Sequence, residues 1–73
     1  MQHRTIGYHG NDPSGLPVTG DVRVTDVAAW VYGRYLQADD AELEIIDRDT
    51  GRIVGGIYTY MRTGCRQWWA EEA

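Results

Sequence analysis

Ile53-Val54-Gly55-Gly56-Ile57-Tyr58-Thr59-Tyr60-Met61, followed within a few residues by the pair Trp68-Trp69, is the stretch whose reading decides the fold. It is rich in β-branched and aromatic residues and free of proline, as a strand should be. Successive side chains of a strand point to opposite faces. One face therefore reads Ile53/Gly55/Ile57/Thr59/Met61, and the other Val54/Gly56/Tyr58/Tyr60/Arg62. Both carry bulky groups. The Gly55-Gly56 pair marks a bulge or a place where another backbone comes close.

Turn signals lie on both sides of this strand. Asp47-Arg48-Asp49-Thr50-Gly51-Arg52 reads as a hairpin turn with Gly51 in the left-handed region, which pairs the strand with Leu43-Glu44-Ile45-Ile46-Asp47. Thr63-Gly64 is a second turn, leading to a further strand at Arg66-Gln67-Trp68-Trp69-Ala70. The acidic end Glu71-Glu72-Ala73 reads as frayed.

Upstream, residues 25–38 read as one helix. Thr25 is the expected N-cap, and Asp26 places negative charge in the first turn, where the helix dipole favours it. Helical spacing gathers Val27, Ala28, Val31, Tyr35 and Ala38 on one face, which Tyr32 and Leu36 extend. Asp26, Gly33, Arg34 and Gln37 lie opposite, and Trp30 projects into that polar stripe between Asp26 and Arg34. Trp30 is then either a boundary tryptophan with Arg34 over its ring or an exposed anchor for a partner. Residues 1–20 divide into a short strand at Arg4-Thr5-Ile6-Gly7-Tyr8 and a turn-rich loop from Gly10 to Gly20, while Asp21-Val22-Arg23-Val24 alternates as a short strand or the approach to the helix.

The expected fold is α+β: a small antiparallel sheet of about three to four strands packed on one α-helix, in the order β-α-β-β-β. It forms a single domain over residues 1–73, with the strands within 42–70. Ile53, Ile57 and Met61, with Leu43 and Ile45, form the natural seat for the helix. That leaves Val54, Tyr58, Tyr60 and one of the two tryptophans on a second face, rimmed by Arg52 and Arg62. Monomers seldom expose a contiguous patch of this kind, and Ile6, Tyr8, Leu16 and Val18 supply too little bulk to cover it all.

Composition narrows the function classes. A 73-residue chain lies near the lower limit for independent folding and often relies on disulfides, a metal or self-association. Cys65 is the single cysteine, so no disulfide forms within the chain, and Cys65, His3 and His9 lack zinc-site spacing. No cofactor is implied. The formal net charge of −4 disfavours duplex nucleic acid, and no apolar run has membrane-spanning length or the form of an export signal. A lone thiol without such a signal fits a cytoplasmic protein. Arginine supplies every basic residue, and lysine and phenylalanine are absent. This bias fits a GC-rich genome, such as a high-GC bacterium or its phage.

No catalytic constellation is apparent. Cys65 with His3 or His9 and Asp12 has neither a marked base nor an oxyanion hole, so a Cys-dependent enzyme is the least favoured class. The stretch Asp39-Asp40-Ala41-Glu42-Leu43-Glu44 reads as a solvated acidic turn, with an acidic lip for a basic partner or a divalent cation as the alternative; the patterned loop of a Ca²⁺ or Mg²⁺ site is missing. The favoured reading is a small binding or regulatory protein encoded by a phage or mobile element. It acts on a second copy of itself as a homodimer, or on another protein, through Trp30, Arg34, Val54, Tyr58, Tyr60, Arg62, Trp68 and Trp69. The alternative occupant is single-stranded nucleic acid, stacked on Tyr58, Tyr60 and a tryptophan beside Arg52, Arg62 and Arg66.

Overall fold

A computed structural model describes residues 2–37, 40–60 and 62–71. Among them, five strands form one antiparallel sheet in the order β2-β1-β3-β4-β5: β1 (Arg4–Asn11), β2 (Pro17–Val24), β3 (Glu42–Asp47), β4 (Ile53–Thr59) and β5 (Arg66–Ala70). The helix α1 (Val27–Gln37) follows β2 and lies over β4 and β5. The α+β class and the antiparallel sheet match the sequence reading. The strand count and the element order do not, because the expected loop from Gly10 to Gly20 contains a strand.

The physical reason lies in the turn and in side-chain packing. Asp12 Oδ1 accepts the backbone N–H groups of Ser14 and Leu16, each at 2.9 Å, and Gly15 takes a φ of 85°. The turn formers are thus confined to the tip of a hairpin, and the chain from Pro17 onward pairs with β1 from Arg4↔Val24 to Asn11↔Pro17. Val18, Gly20, Val22 and Val24 alternate with Pro17, Thr19, Asp21 and Arg23 in that strand. Gly20 is needed for room rather than for a turn: a Cβ there would come within 2.5 Å of the Tyr8 hydroxyl.

The helix begins one residue later than Thr25 suggests. Asp26 is the N-cap, its Oδ1 accepting the N–H of Ala29 at 3.1 Å. Val27 and Val31 are buried, whereas Tyr32 and Leu36 overhang the sheet and remain exposed. Ala38 and Met61, both assigned above to the covered face, and the frayed end at Glu72 and Ala73 lie outside the described residues. The core unites Ile6, Val24, Val27, Val31, Leu43, Ile45, Val54 and Ile57.

β4 departs from simple alternation at the point the two glycines mark. Its pairing with β3 passes from Ile45↔Gly55 to Ile46↔Ile53, so Val54 is an extra residue. The bulge turns Val54 into the core, 2% exposed, and Ile53 out to the opposite face, 49% exposed. The expected positions of these two residues are therefore exchanged. Gly55 leaves room for its neighbours: a Cβ there would lie 3.0 Å from the Trp69 carbonyl oxygen and 3.2 Å from Val31 Cγ2 of the helix.

Candidate interaction site

The strand register sorts the sheet residues between a face under the helix and an open face. Arg66, Trp68 and Ala70 of β5 pair with Thr59, Ile57 and Gly55 and lie on the helix side. Trp68 meets Tyr32 at a ring-centroid separation of 5.3 Å, and Arg66 lies over the Tyr35 ring at 4.9 Å. Trp69 pairs with Gly56 on the open side, with Nε1 3.3 Å from where a Cβ of residue 56 would be. Alternation thus gives the adjacent tryptophans opposite duties: Trp68 is half-buried beside the helix, and Trp69 is on the open face.

The open face has two unlike halves. Over β2, β1 and β3 it is mostly polar, and two side-chain pairs meet there within the molecule. Arg48 Nε donates to Asp21 Oδ1 at 2.7 Å, close over Gly7, and His9 Nε2 lies 3.1 Å from Glu44 Oε1. Over β4 and β5 it carries Ile53, Tyr58 and Trp69, with Tyr60 just beyond the end of β4. Tyr58 and Tyr60 meet edge to face at 5.2 Å, and the neighbouring Tyr60 phenol, together with partial burial, holds the Tyr58 phenol above its ordinary pKa. The Tyr58 hydroxyl also reaches Gln67 Oε1 at 3.4 Å. Tyr60, Arg62, Thr63, Cys65 and Gln67 line an open depression of about 650 Å³ at the end of this half.

Ile53, Tyr60 and Trp69 are each more than two-fifths exposed. Large aromatic side chains carry roughly 150–250 Å² apiece, so together the exposed surface is on the order of a few hundred Å². That is the size of the largest apolar patch on a typical monomer, which is often a functional one.

The other expected site residues fall elsewhere. Trp30 packs on Tyr8 at 5.2 Å, and the Arg34 guanidinium lies 5.4 Å from both rings. Arg34 also donates to Asp40 through Nε at 2.7 Å and through a terminal nitrogen. Trp30 and Arg34 thus take the boundary arrangement, which closes the fold over β1. Asp40, read above as part of a solvated turn, is buried, because Arg34 pairs with its carboxylate and Arg66 donates to its backbone carbonyl at 2.7 Å. Val54 lies in the core and so is absent from the open face. Arg62 is exposed beside Tyr60, as expected, whereas Arg66 is turned to the helix side.

Two features escaped the sequence reading. One is the apolar overhang of Tyr32 and Leu36 beside β5; its signal was present, since both extend the helix stripe past the width of the sheet. The other is the Arg4 cluster, in which one guanidinium binds both Asp47 and Glu71. The hydrogen bonds from Arg4 hold the Asp47 carboxyl below its ordinary value of 3.8, and those from the N–H groups of Asp49 and Thr50 act the same way. No sequence signal joins residues this far apart.

No helix among the described residues is long and apolar enough to cross a membrane. Comparison with protein-family models, curated proteins and solved structures finds no match.

Proposed function

We propose that this protein is a small binding module whose aromatic half-face takes a protein surface, with a second copy of the chain as the first occupant to consider. The observation that carries this reading is the exposure of Trp69, Tyr60 and Ile53 together on one half of a face whose other half is mostly polar. Aromatic anchors bordered by arginine are the usual composition of a protein interface core and its rim. Arg62 supplies that border here.

Single-stranded nucleic acid is less well supported. Arg4, Arg34 and Arg48 are held by carboxylates, and Arg66 by a backbone carbonyl on the helix side. Of the arginines expected around the stacking platform, Arg52 and Arg62 remain exposed, and Arg23 is exposed on the open side of β2. That leaves a weak basic field in a chain of net charge −4.

The test is a Trp69→Lys variant whose circular dichroism spectrum matches that of the parent. Sedimentation across micromolar to millimolar protein, with titration of labelled single-stranded oligonucleotides at low and high salt, is compared for the two. Protein association that Trp69→Lys abolishes is the expected result. Salt-sensitive oligonucleotide binding lost in the same variant would transfer the face to nucleic acid. Identical behaviour of the two proteins in every assay would overturn the reading.

A further inference from the structure

β2 and β5 are the two edges of the sheet, and they are built differently. β2 opens with Pro17, which has no N–H to offer, and places Asp21 and Arg23 on its open side. Charge and proline are the usual guards against strand addition. β5, Arg66-Gln67-Trp68-Trp69-Ala70, has no proline, and its central residues are two tryptophans.

The direction of its free backbone groups follows from the hydrogen bonds at its two ends. Tyr60 N–H donates to the Cys65 carbonyl at 2.9 Å, and Glu71 N–H donates to the Val54 carbonyl at 2.8 Å. In an antiparallel ladder, alternate residues bond to the same neighbour. Cys65, Gln67, Trp69 and Glu71 therefore face β4, and Arg66, Trp68 and Ala70 direct their N–H and C=O groups outward. The Tyr35 hydroxyl donates to the Arg66 carbonyl at 3.2 Å from the outer side, which agrees with this assignment.

Apolar groups flank this edge in both layers. Tyr32 and Leu36 overhang it on the helix side, 46% and 61% exposed, and Trp69 stands on the opposite side, 42% exposed. Resting on the reading of the aromatic half-face as a protein-binding surface, we infer that the partner is a second copy of this chain, joined β5 to β5 in antiparallel register so that two five-stranded sheets become one.

Three features fit that occupant. A dyad at Trp68 pairs Trp68 with its counterpart and Arg66 with Ala70 of the other copy; the Arg66 carbonyl, which already accepts the Tyr35 hydroxyl, has a second lone pair for the incoming N–H. The same register sets the arginine end of the strand, Arg62 and Arg66, alongside the end that carries Glu71 in the other copy. A parallel arrangement would set like ends together. The helices also fit. Because α1 lies over β4 and β5, the two helix axes would be separated by about two strand spacings, roughly 10 Å. Packed helices lie about 8–10 Å apart, so the two helices would be at packing distance, with the exposed Tyr32 and Leu36 of each copy available to the contact.

The test uses the full chain and two substitutions at exposed positions. Leu36→Lys lies in the helix layer beside the edge, and Ile53→Lys lies on the open face beyond the last pair of β5 with β4. Sedimentation equilibrium should show the mass rising from 8.3 kDa toward a dimer with concentration. Leu36→Lys should weaken the dimer by about tenfold or more, and Ile53→Lys should weaken it far less. Amide exchange at Trp68 and Ala70 should slow as the dimer forms, while that of Gln67 and Trp69 should change little. A dimer sensitive to Ile53→Lys but not to Leu36→Lys would be joined face to face, which overturns the edge pairing and leaves the binding face intact. A monomer at millimolar concentration overturns the edge pairing too, and the face then stands or falls on whether Trp69→Lys alters association with another protein.

Discussion

The two sides of β4 and β5 contain similar residue types and have opposite consequences. On the helix side, Val54, Ile57, Trp68 and Ala70 meet Val31, Tyr32 and Tyr35, and the glycine of the pair that lies there, Gly55, lets the helix approach. On the open side, Tyr58 meets Tyr60 edge to face, Trp69 lies over Gly56, and Ile53 stays exposed. Hydrophobicity does not separate the sides. What separates them is a second layer, since burial against the helix turns apolar area into stability, whereas the same area facing water is available for association.

Substitutions on the two sides should therefore part company. The largest effect is expected from Ile57→Ala, which empties a fully buried position next to Leu43. It should cost about 3 kcal/mol, read as a fall in melting temperature of roughly 12 °C or more for a domain of this size. A loss below about 1 kcal/mol would mean that the helix side is loosely packed.

Next comes the Arg4 cluster at the margin of the covered side. Because Asp47 is held below its ordinary value of 3.8 in the folded protein, its pairing adds stability above that value and loses it as the pH falls through the depressed one. Thermal melting should weaken below about pH 4. Asp47→Asn should remove much of that acid dependence at a cost of about 1–2 kcal/mol near neutrality, limited because about a third of Arg4 remains in water. An unchanged acid limb in the variant would assign the effect to other carboxylates.

The smallest effect on stability belongs to the open side. Trp69→Ala should cost about 1 kcal/mol or less, yet reduce association more than Ile57→Ala does at equal fraction folded. If Trp69→Ala unfolds the protein as severely as Ile57→Ala, the open side is part of the core and the contrast fails.

How much of this was legible follows from the range of the interactions. The hairpin turn at Gly51, the turn at Gly64 and the buried stripe of Val27 and Val31 depend on neighbours a few residues apart, and both glycines take the positive φ such turns need, 75° and 70°. β2 was hidden because Pro17, Gly20 and the preceding turn formers carry weak strand propensity, and its formation rests on pairing with β1. The bulge was signalled by Gly55-Gly56, but its consequence, the exchange of Ile53 and Val54 between faces, depends on register against β3. The burial of Asp40 depends on Arg34 arriving from the helix.

By itself the sequence determined the α+β class, a strand with bulky groups on both sides, and an aromatic excess near the C-terminal end. Periodicity and turn chemistry are local and survive in one dimension. Tertiary structure alone decided which tryptophan is covered, which of Ile53 and Val54 is in the core, and that β5 is an edge. Each of these is a question of which strand lies beside which. Strand order joins residues far apart in the chain and cannot be read from the spacing of neighbours.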